Sequence, residues 1–157
     1  MKKVTVLMST IFFAGLSSAI DAKILNAIAH IESRNRNGVV GDLKMKEHSY
    51  GKYQIRRIYM EDVMSTNGDE FRKLFHVEQP TLKEIRYNDV MGRWFVEKYI
   101  TKYGARYTKL TGKPLTPEIA FMIHNGGPMG WKKGLKVHVK AYAYSVAALK
   151  YYKEIAA

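Results

Sequence analysis

The sequence contains no cysteine, only four prolines and comparatively few acidic residues. Without cysteine there are no disulfides and no thiol chemistry, so an exported form of the chain depends on its hydrophobic core for stability. Against 26 Lys and Arg residues there are only 14 Asp and Glu residues, which gives a formal net charge of +12. This excess favours an anionic partner, whether nucleic acid, anionic lipid or a bacterial cell wall, and does not choose among them.

The rest of the composition is typical of a globular protein. Of the 157 residues, 46% are hydrophobic and 25% are charged, which is enough apolar material for one good core. The sequence contains no internal repeat, low-complexity segment or linker. We therefore predict a single globular domain.

The first 19 residues form a separate unit. They begin with Lys2 and Lys3, continue with an apolar stretch and end in small residues up to Ala19. This pattern predicts a secretory signal peptide at 1–19, cleaved after Ala19, and leaves a domain at 20–157. The alternative is a short N-terminal helix or membrane anchor, but the apolar stretch is short and interrupted for a membrane span. We expect an exported protein, either periplasmic or secreted.

Helical periodicity and end signals dominate the remaining sequence. Predicted N-caps are Asp21, Thr81 in the capping box TLKE, and Thr116 before Pro117. Predicted stops are STNGD at 65–69, Gly104 and NGGP at 125–128. The predicted helices cover about 22–33, 50–65, 82–103, 117–124 and 135–155. The fold class is therefore mainly α, with a short β-hairpin between 37 and 50 left open.

Glu32 interrupts an apolar pattern. It lies four residues after Ile28 and seven after Leu25, so the three share one helix face. A carboxyl group on an apolar face loses water, which favours its protonated form. A protonated acid can donate a proton to a leaving group, as glycosidic bond cleavage requires. The alternative is a surface Glu paired with Arg34 or Arg36.

Three stretches together resemble the lysozyme superfamily. AIAHIESRNRNG at 27–38 resembles the helix that ends in a catalytic Glu in lytic transglycosylases and goose-type lysozymes. SYGKYQI at 49–55 is similar to the Gly-x-Tyr-Gln-Ile segment of invertebrate-type lysozymes. AFMIHNGGPMGW at 120–131 closely resembles the Ile-His-Asn-Gly-Gly-Pro segment of those enzymes. The three motifs have the order and spacing of the family.

The resemblance implies a lysozyme-like domain that degrades peptidoglycan. It would cleave the MurNAc–GlcNAc β-1,4 bond, with Glu32 as the general acid. It also implies a sugar-binding surface made by Tyr53, Gln54, Asn125, Gly126 and Gly127. The two glycines would let the backbone approach the substrate, since they lack side chains.

The second carboxylate is where this chain departs from invertebrate-type lysozymes, which are also rich in disulfides. Asp42 in VVGDLK is the best candidate, and Glu47 lies in the same loop. With a catalytic Asp42 the resemblance implies hydrolysis. Without it, lytic transglycosylation is implied, in which the 6-hydroxyl of the sugar attacks. The alternative for Asp42 is a residue that bonds nearby backbone in a turn.

For the aromatic and histidine residues, a structural role is the alternative to a functional one. Tyr50, Tyr99 and Tyr144 are candidates for stacking on sugars, but core packing is the preferred interpretation. His124 is interpreted as a structural residue at a helix end. The five His residues are scattered and no HExxH motif is present, so we expect no metal and no other cofactor.

A competing class is a catalytically weak, cationic antibacterial protein that binds the wall or a membrane through the lysine-rich segment 132–153. Nucleic acid is not an expected partner, because the sequence has no recognisable nucleic-acid-binding motif and export separates it from such a partner. The expected partner is peptidoglycan, with weak binding to anionic surfaces, and the expected oligomeric state is a monomer.

Overall fold

The computed structural model describes residues 20–157, so the predicted signal peptide lies outside the described residues. The described chain is mainly helical, with a small two-stranded antiparallel sheet, which confirms the predicted fold class. The helices are α1 (Ala22–Ser33), α2 (Arg57–Phe75), α3 (Leu82–Tyr87), α4 (Asp89–Thr111), α5 (Pro117–Gly126) and α6 (Lys136–Glu154). The strands are β1 (Val40–Gly41) and β2 (Ser49–Tyr50), and a 3-10 turn spans Gly127–Met129.

Three predicted helix starts are confirmed. The side chains of Asp21, Thr81 and Thr116 each accept a hydrogen bond from a backbone N–H in the first turn of α1, α3 and α5. Glu84 completes the capping box of α3 by accepting from the backbone N–H of Thr81 at 2.7 Å. Pro117 takes the first turn of α5, where its missing N–H costs no helical bond.

The predicted end of the second helix is wrong. Helix α2 begins later than expected, at Arg57, and continues through STNGD to Phe75. Val63 and Phe71 are both 0% exposed and lie on either side of the Asn-Gly pair. Burying these side chains on one face stabilises the helix by more than the roughly 1 kcal/mol that a helical glycine costs.

The long helix predicted from 82 to 103 is instead two helices. It breaks at Asn88, whose side chain accepts a hydrogen bond from Met91 N and so caps α4. Gly104 does not end α4, which continues to Thr111 and ends at Gly112 with φ of 68°. A Cβ on Gly104 would lie 2.6 Å from Leu115 Cδ2. The glycine therefore lets Leu115, which follows α4 in the chain, pack closely against the helix.

The last helix matches its prediction to within one residue at each end. Helix α5 packs against α6, and α1 packs against α6 as well.

None of the helices within residues 20–157 combines the length and apolar character needed to cross a membrane.

The core lies between α1, α2, α4 and α5. Its largest fully buried side chains include Leu25, Ile28, Phe71, Phe95, Ile100, Phe121 and Ile123. Each such side chain contributes about 1.5–3 kcal/mol through burial. These side chains belong to one hydrophobic core within residues 20–157.

The short hairpin brings two predicted site residues to one place. Val40 pairs with Tyr50 and Gly41 pairs with Ser49. Tyr50 and Ile55 also exchange two backbone hydrogen bonds of 2.9 Å, so the chain folds back again directly after β2. Asp42 therefore follows β1 at the edge of the same small structure that presents Gln54.

Candidate active site

A cleft with a volume of about 480 Å³ lies where the end of α1, the hairpin, the start of α2, α4 and the end of α5 meet. Small-molecule sites commonly have volumes of this size. The cleft is lined by five of the seven predicted site residues, Glu32, Asp42, Gln54, Asn125 and Gly127. These residues come from three segments that are distant in sequence.

The other two predicted site residues have packing roles. Tyr53 is 4% exposed and belongs to the hydrophobic core rather than to the lining of the cleft. Gly126 faces α6, where a Cβ would lie 2.7 Å from the Cβ of Ala141. Of the two adjacent glycines, only Gly127 lines the cleft, and its φ of 75° is a conformation that favours glycine.

Glu32 projects into the cleft from the last turn of α1. Its side chain is 17% exposed, and Leu25 and Ile28 on the same face of the helix are 1% and 0% exposed. The helix ends directly afterwards, with Arg34 in the left-handed region at φ of 54°. Neither Arg34 nor Arg36 forms a salt bridge with Glu32 among residues 20–157.

The polar neighbour of Glu32 is His124. Glu32 Oε1 lies 3.3 Å from His124 Nε2, and the His124 side chain is 4% exposed. On its other side, His124 Nδ1 lies 3.3 Å from the Tyr59 hydroxyl. Burial, and then the neighbouring Tyr99 and Glu32, raise the pKa of Tyr59 well above its ordinary value, so this hydroxyl keeps its proton.

A neutral histidine has one donating and one accepting nitrogen. When Nδ1 of His124 accepts from Tyr59, Nε2 donates to an ionised Glu32. When Nδ1 instead donates to the Tyr59 oxygen, Nε2 accepts a hydrogen bond from a protonated Glu32. The chain of three groups therefore fits both the acid and the conjugate base of Glu32, without placing a fixed charge beside it.

Tyr144 of α6 places a buried hydroxyl at the same site. Within residues 20–157 this hydroxyl forms no hydrogen bond of good geometry, and the carboxyl group beside it is that of Glu32. Burial, then the neighbouring Glu32 and the polar contact with its carboxyl group, raise the pKa of Tyr144 well above its ordinary value. A protonated hydroxyl that can donate to Glu32 is thus held next to it.

Asp42 has a different environment. Its Oδ2 accepts two hydrogen bonds from Arg56, from Nη2 at 2.8 Å and from Nε at 3.2 Å. Partial burial acts to raise the pKa of Asp42, but the hydrogen bonds from Arg56 and the charge of Arg56 prevail and lower it. Asp42 is therefore ionised near neutral pH. Glu47 is exposed and does not line the cleft.

Gln54 is held at the cleft by its own hairpin. Its Oε1 accepts from the Ser49 hydroxyl at 2.7 Å, and its Nε2 donates to the Gly51 carbonyl at 2.7 Å. The residue has φ of 51°, which reverses the chain at this point. By contrast, the exposed Asn125 makes no side-chain hydrogen bond within the described part of the chain, so its amide is free for a ligand.

Sequence reasoning named only Tyr99 from one wall of the cleft, and preferred a core role for it, but Tyr99 lines the cleft. Tyr59 of α2 stacks on Tyr99 of α4, with ring centroids 3.8 Å apart and planes 19° apart. Asp62 Oδ2 accepts from the Tyr103 hydroxyl at 2.8 Å, and Asp62 Oδ1 accepts from Lys102 at 3.0 Å. Asp62 is thus fully paired and ties α2 to α4.

This wall carried a weak signal in the sequence. Tyr59 and Asp62 are three residues apart, and Tyr99 and Tyr103 are four apart, so each pair lies on one helix face. That spacing does not reveal that the two faces meet. Burial, and then the hydrogen bond to Asp62, raise the pKa of Tyr103 to about 12.

Residues 20–157 contain no group of three or more His, Cys, Asp and Glu side chains suited to hold a metal ion. Comparisons of the chain with protein-family models, curated proteins and solved structures found no match. The case for a function therefore depends on the cleft and on the three motifs that form it.

Proposed function

We propose that this protein is a peptidoglycan glycosidase that cleaves the MurNAc–GlcNAc β-1,4 bond with Glu32 as the general acid. One observation carries the proposal. Glu32 enters a cleft of about 480 Å³ from an otherwise apolar helix face, and the second and third motifs line the same cleft with Gln54 and Asn125.

In the first step, protonated Glu32 would donate its proton to the bridging oxygen as the glycosidic C–O bond breaks. The leaving sugar takes the proton as a free hydroxyl, and positive charge develops at the anomeric carbon. His124 can donate Nε2–H to Glu32 Oε1 throughout this step, while Oε2 carries the proton that is transferred and Nδ1 accepts from Tyr59. The proton transfer from Glu32 to the leaving sugar therefore requires no change in the net charge of His124.

In the second step, a hydroxyl group would attack the anomeric carbon and return its proton to Glu32. Water as the attacking group gives hydrolysis. The sugar's own 6-hydroxyl gives transglycosylation and a 1,6-anhydro product. The ionised Asp42 would stabilise the positive charge in either route, although its pairing with Arg56 weakens that effect.

The walls of the cleft suit a sugar polymer. The stacked Tyr59 and Tyr99 present an aromatic wall, and aromatic faces pack against the apolar faces of sugar rings. The free amide of Asn125 is able to donate to and accept from an N-acetyl group. The excess of positive charge would favour encounter with an acidic wall.

Access to peptidoglycan would come from export, which the signal peptide predicted at residues 1–19 would provide. The proposal needs no metal or cofactor, because Glu32 and the attacking hydroxyl account for all bond changes. A single copy of the chain supplies every residue that the mechanism uses.

The test is mass spectrometry of the products from purified peptidoglycan digested with residues 20–157 and with Glu32→Gln. Glu61→Gln is the matched control, because Glu61 is an exposed residue of α2. We expect products only from the parent and the control. Anhydro ends would assign transglycosylation and water-added reducing ends would assign hydrolysis. Equal digestion by Glu32→Gln would contradict the proposal.

A further inference from the structure

An apolar stripe runs along the outer face of α6. Leu135, Val139, Tyr142 and Val146 are 40%, 72%, 50% and 51% exposed. Their spacing of four, three and four residues places them on one side of a helix. Single exposed hydrophobic residues are ordinary, but four in a continuous line form a surface that tends to mark an interaction site.

Packing of the domain does not require this stripe. Helix α6 packs inward through Ala141, Ser145 and Ala148, each of which is 0% exposed. No residue of α6 lines the cleft. The outer face is thus separate from both the core and the proposed active site.

The surroundings of the stripe are strongly positive. No acidic residue occurs between Glu118 and Glu154. The same stretch contains Lys132, Lys133, Lys136, Lys140, Lys150 and Lys153, all of them exposed. None of the six forms a salt bridge with another residue of the described chain, 20–157. Lys136 precedes Val139 by three residues and Lys150 follows Val146 by four, so both lie beside the stripe.

We infer that the outer face of α6 docks on an anionic lipid bilayer surface. Charge complementarity decides the partner. The lysines around the stripe match the acidic headgroups of such a bilayer, and the apolar stripe matches its apolar interior. The valines and Tyr142 would enter the boundary between headgroups and acyl chains. The lysines would contact lipid phosphates. The inference goes beyond the glycosidase proposal and does not depend on it.

The experiment is co-sedimentation of residues 20–157 with vesicles, which removes the apolar N-terminal segment from the measurement. Vesicles of phosphatidylglycerol and phosphatidylcholine are compared with vesicles of phosphatidylcholine alone, at low salt. We expect binding to the anionic vesicles only. Val139→Gln with Val146→Gln should reduce the partition coefficient at least about tenfold. Lys136→Gln with Lys150→Gln should reduce it about 25-fold, at about fivefold for each lysine.

Matched controls distinguish docking through α6 from non-specific adsorption to the vesicles. Leu74→Gln with Val90→Gln removes two apolar side chains that are 56% and 68% exposed on other helices. Lys73→Gln with Lys83→Gln removes two exposed lysines elsewhere. Both control pairs should bind like the parent, and circular dichroism verifies that each variant is folded.

Three outcomes would overturn the inference. The first is no binding to the anionic vesicles, as expected if α6 instead meets an acidic protein. The second is binding that the lysine pair weakens and the valine pair leaves unchanged, which is adsorption by charge alone. The third is equal loss in the control pairs, which would place the contact elsewhere.

Discussion

Glu32 and Asp42 are two carboxyl groups on one cleft with opposite surroundings. Glu32 is 17% exposed at the end of an apolar helix face, and its neighbours are His124 and two tyrosines. Asp42 is 34% exposed on the hairpin and is held by the guanidinium of Arg56. No Arg or Lys pairs with Glu32 among residues 20–157, whereas the fixed cation of Arg56 keeps Asp42 ionised. The comparison suggests an acid on one side and a permanent negative charge on the other.

The largest effect should come from removing the acid. Glu32→Gln keeps the shape of the side chain and removes its proton, so we expect about a 10³-fold loss of peptidoglycan cleavage. The rate of release of soluble fragments from labelled wall measures it. Glu61→Gln should retain the parent rate. A loss below about tenfold would mean that Glu32 does not supply the proton.

The resemblance to lysozymes indicated this carboxylate, but the sequence did not reveal its surroundings. The caps at Asp21, Thr81 and Thr116 were predictable because each depends on residues within one helical turn. The contact of Glu32 with His124 joins residues 92 positions apart, and Tyr59 and His124 are 65 apart. Nothing local in the chain specifies such pairs.

The same limit explains Tyr53 and Gln54, which are adjacent in one motif. Gln54 lines the cleft and Tyr53 is 4% exposed in the core. Neighbouring residues in a tight turn point in different directions, and the turn here depends on φ of 51° at Gln54. Helix α2 likewise continues through the predicted stop STNGD, because segments distant in the sequence bury Val63 and Phe71.

The second largest effect should come from the permanent charge. Asp42→Asn removes a negative charge that faces the cleft but is already paired with Arg56. We expect about a 30-fold loss of cleavage, equivalent to about 2 kcal/mol of transition-state stabilisation. The wall-release assay measures it, with Glu47→Gln as a control in the same loop. An effect as large as that of Glu32→Gln would make Asp42 a nucleophile rather than a distant charge.

His124→Gln should have a smaller effect on rate. The histidine acts through Glu32 and is a positioning residue, so the loss should be about tenfold, or about 1.4 kcal/mol. The rate measured against pH separates this role from a structural one. A changed alkaline limb of the profile is expected, because Glu32 must be protonated to act and one of its partners has gone. A uniform loss across all pH values, with the profile unchanged, would make His124 a packing residue only.

Tyr144→Phe should change stability in the opposite direction from most core substitutions. The buried Tyr144 hydroxyl has only a poorly aligned contact with Glu32 among residues 20–157, and buried hydroxyls without a good hydrogen bond cost about 1–3 kcal/mol. Removing it should stabilise the fold by about 1 kcal/mol in urea unfolding. Loss of cleavage in the stabilised variant would show that this hydroxyl serves Glu32 or the substrate. A destabilised variant would mean that the hydroxyl already has a partner.

The smallest effect concerns pH and tests the charged side of the cleft. Arg56 lowers the pKa of Asp42 from its ordinary value of 3.8, so their pairing stabilises the folded state above pH 3.8. That stabilisation is lost as pH falls through the lowered value, because the folded and unfolded chains then bind the same proton. Arg56→Gln should therefore destabilise the protein by less than about 1 kcal/mol near neutral pH, and by a smaller amount at about pH 2.

Urea unfolding at both pH values measures the difference between parent and variant. Arg57→Gln is a suitable control, because Arg57 is exposed next to Arg56 and forms no salt bridge within residues 20–157. Since protonating Asp42 removes its attraction to Arg56, a difference that persisted undiminished at low pH would have to come from Arg56 packing. The charge of Arg56 would then not be what keeps Asp42 ionised, and the contrast between the two carboxyl groups would lose its physical basis.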